Sequence, residues 1–207
     1  MDIKLKETEK IKILNSDDLY GIMQKILLRE NKIDRDREHF WVIGLANNHR
    51  ILFIELISLG TVNQTFAEPM EVFSLALQKR AVNIILCHNH PSGELKPSDA
   101  DMDITDRLIQ VGRIVKTKVL DHLIISEKSY LSFDDVGFME TLKYSTKYVP
   151  GYELTKQIKK DAARNAREKQ KIEIAKELKR KGVEDQTIAD STGLSFEDVQ
   201  NIKVRKK

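Results

Sequence analysis

The apolar run NIILCH at residues 83–88 constrains the fold more than any other stretch of this chain. It has no polar break, as expected of a central strand covered on both faces, so a sheet built around it needs structure packed on each side. The residues after it are equally restrictive. Pro91 closes a His-Asn-His-Pro sequence, PSGELKP forms a loop, and Ser98 opens a helix expected over about 99–115.

The other elements fit around that strand. IKIL (11–14) reads as a short first strand. Ser16 reads as an N-cap, and Leu19, Ile22, Met23, Ile26 and Leu27 recur at helical spacing, predicting a helix over about 17–30. Residues 31–37 are a polar connection. HFWVIGLA (39–46) and RILFIELI (50–57) flank Asn47-Asn48 and predict a hairpin. LGTVNQTF (59–66) continues its second strand or adds another. Pro69 suits the first turn of a helix reaching about residue 80. VLDHLIIS (119–126) is a further buried strand, and residues 130–133 are a short one. The fold class is therefore α/β, a mixed sheet with flanking helices, over residues 1–140.

A different pattern begins after that. Residues 141–152 contain Pro150-Gly151 and read as a linker. Residues 153–207 read as an all-α tail: a long charged helix over about 153–181, then two short helices that Asp185 and Ser195 can cap. Residues 151–207 hold 15 Lys+Arg against 10 Asp+Glu, whereas residues 1–150 hold 20 against 22, so the whole net charge of +3 comes from the tail. QTIADSTGLSFEDVQNIKV resembles the latter half of a helix-turn-helix, with Lys203, Arg205, Lys206 and Lys207 behind it. Nucleic acid is one candidate partner of this tail. A packing or oligomerisation module is the alternative, and oligomeric state is open.

No run of eighteen apolar residues exists to span a membrane, and the charged start MDIKLKETEKIKIL lacks a signal-peptide core, so a cytoplasmic protein is expected. The single cysteine, Cys87, lies inside the apolar run and reads as a core residue. With one cysteine, a metal must rely on His, Asp or Glu.

The chemistry-bearing segment is CHNHPSGELKPSDADMDIT, residues 87–105. Side chains alternate along a strand, so His88 and His90 share one face, and Pro91 keeps His90 extended. Asp101 stands in the first helical turn, where the loop returns it toward the imidazoles. Two His and one Asp leave a fourth tetrahedral position for water, the form of a catalytic zinc site. Ser98 could donate to an oxyanion. Ser98-x-x-Asp101 also has capping-box spacing, a second use for the Asp101 carboxylate.

His88, His90, Ser98 and Asp101 stand at the spacing of the JAMM motif of JAB/MPN metalloproteases, and HNHPSGELKPSDAD resembles the bacterial RadC family. GTVNQTF (60–66) and LDHLIIS (120–126) are also similar to RadC segments, so the resemblance covers about residues 16–138. It implies the cytidine-deaminase-like fold of JAB/MPN proteins, Zn2+ at the strand–helix junction, and hydrolysis of a peptide or isopeptide bond in a protein or peptide substrate. It also implies a catalytic glutamate at the start of an upstream strand, and Glu38 matches that position. Glu55 is the second candidate and ranks lower, because its strand neighbours are apolar. The other reading is a DNA-associated factor in repair or mobile elements, in which the JAB domain is a scaffold and the tail binds nucleic acid.

Overall fold

The computed structural model describes residues 12–60 and 67–203. They form two compact units, one ending at Tyr148 and the other beginning at Val149. The first carries helix α1 (Ser16–Leu27), the short α2 (Lys32–Arg35), strands β1 (His39–Leu45) and β2 (Ile51–Leu59), α3 (Pro69–Gln78), β3 (Asn83–Asn89), α4 (Asp99–Val115), β4 (Lys118–Ile125), β5 (Tyr130–Ser132) and α5 (Phe138–Lys143). The strands form one sheet in the order β2-β1-β3-β4-β5. β3 and β4 are parallel, and β1–β2, β1–β3 and β4–β5 are antiparallel. A parallel pair needs a crossover, and α4 supplies it.

Both faces of the sheet are covered. Alternation along β1 and β3 sends Trp41, Ile43, Ile85 and Cys87 into one core, with Leu19, Met23 and Ile26 of α1. It sends Phe40, Val42, Ile84 and Leu86 into the other, against Val72, Phe73 and Ala76 of α3 and Leu108 and Ile109 of α4. Every residue of β3 is buried, as its composition predicts. Gly44 on β1 makes room for the Phe53 ring, whose nearest carbon lies 1.9 Å from where a Cβ would stand.

Some expectations change. α1 is capped by Asn15, whose side chain accepts from the Asp18 N–H, rather than by Ser16. The Ser16 hydroxyl instead bonds the Asp135 carboxylate, 2.5 Å away. Within the described part of the expected first strand, residues 12–14, Lys12 forms a single bridge with Arg50. The stretch 61–66, where GTVNQTF would extend or add a strand, lies outside the described residues. α2 occupies part of the expected polar connection. α5 buries Met139 and Leu142 in the α4-side core, and the following Ser145 and Tyr148 bond Asp106 and Asp103 of α4.

The second unit holds α6 (Gly151–Arg180), α7 (Asp185–Thr192) and α8 (Phe196–Asn201). Ala175, Ile188, Ala189, Leu194 and Val199 form its small core. Gly193 takes the left-handed conformation at the end of α7, with φ of 65°. Ser195 caps α8, as its sequence predicts, but Glu184 rather than Asp185 stands at the N-cap of α7. Among the described residues no helix is long and apolar enough to cross a membrane.

Candidate metal centre

β3 delivers His88 to the α4-side face of the sheet, His90 follows one residue past its end, and α4 delivers Asp101. The His88 and His90 Nε2 atoms are 2.9 Å apart. Asp101 Oδ1 lies 3.2 Å from His88 Nε2, and Oδ2 lies 3.6 Å from His90 Nε2. Zinc–nitrogen bonds of about 2.05 Å at tetrahedral angles would hold such donors roughly 3.3 Å apart. His88, His90 and Asp101 can therefore surround a divalent cation with little movement.

The ring protons favour the same use. His90 Nδ1 stands 2.6 Å from the Glu94 carbonyl oxygen, which can only accept, so this nitrogen carries a proton and Nε2 faces inward. His88 Nδ1 is 2.8 Å from His122 Nε2. Burial lowers the pKa of His88 below the usual histidine value and that of His122 far below it, so both rings are neutral near pH 7. Burial also lowers that of His90, but contacts with Asp101 and the Glu94 carbonyl outweigh it and leave the value raised. Without a metal, a proton on His90 Nε2 can bridge to its neighbours; with one, that proton leaves.

The competing uses of Asp101 are reconciled by its two oxygens. Oδ2 accepts from the Ser98 N–H and the Ser98 hydroxyl, each at 2.7 Å, while the Ser98 hydroxyl accepts from the Asp101 N–H at 3.1 Å. That completes the capping box and leaves Oδ1 turned to His88. Burial opposes ionisation of Asp101, but the nearby His88 and His90 rings and the bonds from Ser98 hold its carboxyl well below the usual range.

Glu38, just before β1, lines a cleft of about 950 Å³ together with Phe40, His90, Ser98 and Asp101. Burial raises its pKa and the Asp101 charge adds to the rise, while His90 opposes it. A carboxylate so tuned suits proton transfer. Glu55, on β2, pairs with Val42 of β1 and is not among the residues lining the cleft.

Asn89, between the two histidines, is 1% exposed and ties Glu38's segment to β3. Its Oδ1 accepts from the His39 N–H at 2.7 Å, and its Nδ2 donates to the Arg37 carbonyl at 3.0 Å. Strand alternation points Asn89 away from the two imidazoles, so spacing alone gives no hint of this role. Asn89→Ala is expected to leave zinc content unchanged and to lower any Glu38-dependent turnover about 10–100-fold, the usual scale for supporting contacts. Metal analysis beside steady-state kinetics checks this.

A parallel β3–β4 pair joined through α4, with two histidines and an aspartate at the strand–helix junction, defines a JAB-type domain. The chain belongs to the RadC-like JAB domain family, whose pattern matches residues 13–138. It is similar to UPF0758 proteins from Flavobacterium johnsoniae, 43% identical over 126 residues (61% of this chain and 53% of that protein), and Finegoldia magna, 50% over 97 (47% and 44%). A Methanosarcina barkeri UPF0758 protein is 36% identical over 133 residues (64% and 56%). The chain spans about half the length of these curated relatives. Their names assign no reaction.

Proposed function

We propose that the chain is a zinc-dependent metallohydrolase that cleaves an amide bond, peptide or isopeptide, in a protein or peptide substrate. The observation that carries this reading is the convergence of His88 Nε2, His90 Nε2 and an Asp101 oxygen beside a cleft that Glu38 also lines. His88, His90 and Asp101 would hold the zinc ion, which when bound would supply the Lewis acidity that makes water a competent nucleophile near neutral pH. Glu38 accepts the proton of the attacking water and returns it to the leaving nitrogen. A raised carboxyl pKa favours that exchange, since the group must be basic and then acidic within one turnover.

Ser98 is assigned to the oxyanion of the attacked carbonyl. Its hydroxyl donates to Asp101 Oδ2 and lies on the cleft wall, so a change of partner brings its proton to the substrate. Ser98→Ala is expected to lower turnover about 10²–10³-fold through loss of an oxyanion donor. Loss of the α4 cap accounts for only about 1 kcal/mol of stability. Kinetics and thermal melts on one preparation separate the two effects.

The nucleic-acid reading has less support. α8, which would be the groove-reading helix, carries Glu197 and Asp198 and neither Lys nor Arg, and Arg205, Lys206 and Lys207 lie outside the described residues.

The hydrolase reading is tested by incubating the zinc-loaded protein with a mixed peptide library and lysine isopeptide-linked substrates, followed by mass spectrometry. Cleavage that a chelator removes and zinc restores is the expected result. Products that persist in the chelated protein, or no products with zinc bound, reject it.

A further inference from the structure

We infer that His122 and Thr105 are a positioning pair for His88: they decide which of its ring nitrogens carries the proton and so keep its Nε2 lone pair turned toward His90 and Asp101. The inference rests on the reading of His88 as a metal ligand.

Each proton in the network has one place to go. The Thr105 hydroxyl is 2.5 Å from the Asp101 carbonyl oxygen, its partner one helical turn back on α4. A carbonyl oxygen only accepts, so the single hydroxyl proton of Thr105 is committed there. Thr105 Oγ1 is also 2.6 Å from His122 Nδ1. With its proton engaged, the hydroxyl can only accept, so His122 Nδ1 carries the ring proton. A neutral imidazole has one such proton, which leaves His122 Nε2 bare. The 2.8 Å contact between that nitrogen and His88 Nδ1 then requires His88 to donate. His88 therefore carries its proton on Nδ1 and presents a lone pair at Nε2, 3.2 Å from Asp101 Oδ1.

The chain of contacts closes on itself. It leaves β3 at His88, crosses to β4 at His122, reaches α4 at Thr105 and ends on the backbone of Asp101, whose side chain faces His88 again. His88 is 1% exposed, and His122 and Thr105 are 0% exposed, so water does not offer these atoms alternative partners. Phe40 and Phe133 flank the two rings, with the Phe133 ring 4.9 Å from that of His122. Supporting hydrogen bonds of this kind fix the tautomer and orientation of a ligating histidine, and losing one costs roughly 10–100-fold in metal affinity.

Thr105→Val keeps the shape of the side chain but cannot accept a proton. His122 Nδ1 then has no acceptor, the ring favours its other tautomer, and its Nε2–H meets His88 Nδ1. His88 must answer with a bare Nδ1, which moves its own proton onto Nε2 and blocks the lone pair. Thr105→Ser keeps the hydroxyl and should restore the wild-type arrangement.

The test combines two readouts on the full chain. In metal-free, ¹⁵N-histidine-labelled protein, long-range ¹H–¹⁵N spectra at neutral pH are expected to show Nδ1–H tautomers at both His88 and His122, with His122 changing to Nε2–H in Thr105→Val. In chelator competition, the zinc Kd of Thr105→Val should rise about 10–100-fold, and that of Thr105→Ser should stay within a few-fold of wild type. An Nε2–H tautomer at His88 in the wild type overturns the inference. So does a Thr105→Val protein that loses thermal stability but keeps its zinc Kd, since that marks a packing role alone. A wild-type protein that binds no zinc refutes the metal reading instead, and the tautomer spectrum still decides this one.

Discussion

Replacing His88 and His90 together by alanine is expected to take the protein from about one zinc per chain to none and to abolish zinc-dependent hydrolysis. Each imidazole offers Nε2 to the same point, and the two nitrogens are 2.9 Å apart, so the double variant removes two of three protein donors at once. Asp101 alone, still bonded to Ser98 through Oδ2, is a one-carboxylate site of low affinity. Metal analysis after dialysis against excess zinc gives the stoichiometry. The fold should survive, because the cores on both faces of the sheet are built from other residues. Full zinc retention in a folded double variant would mean that the metal binds elsewhere.

The second large effect is expected at Glu38. Glu38→Gln keeps size and polarity but cannot take a proton, so turnover should fall about 10²–10⁴-fold, the usual worth of general acid–base catalysis. Zinc content should be unchanged, since Glu38 is outside the three-ligand cluster. That combination separates a proton carrier from a ligand. Glu55→Gln, on β2 and outside the cleft, should cost little. A large loss in Glu55→Gln with none in Glu38→Gln would reverse the assignment. Rates are measured on whichever peptide or isopeptide substrate the wild-type protein cleaves.

Legibility in the sequence depends on how local each contact is. β3 and α4 are readable because their signals are short-range: an unbroken apolar run, a proline holding His90 extended, and a serine three residues before an aspartate. The convergence of the two histidines follows from strand alternation alone. α2 and α5 escape a sequence reading because four- and six-residue helices carry too few apolar positions to set a period; α5 shows only Met139 and Leu142 as buried.

Long-range placement is harder to read. Glu38 reaches the cleft only because β1 pairs with β3, Phe40 standing opposite His88, and residue spacing cannot reveal that register. A resemblance to a known family supplies it. Asn89 points away from the chemistry, yet its amide reaches across to Arg37 and His39. From sequence, His122 near the start of a strand fits a structural role or a supporting place at the site; the parallel register that sets Leu86 beside His122 brings its ring onto the face His88 uses. The two uses of Asp101 compete only if its carboxylate is considered as one group. Its two oxygens divide the work.

The central claim concerns where the cation binds. Anomalous diffraction at the zinc edge from crystals grown with zinc should give one strong peak within bonding distance of His88 Nε2, His90 Nε2 and an Asp101 oxygen, facing the cleft that Glu38 lines. A peak at any other group of residues, or a fourth protein side chain completing the coordination sphere, would contradict it.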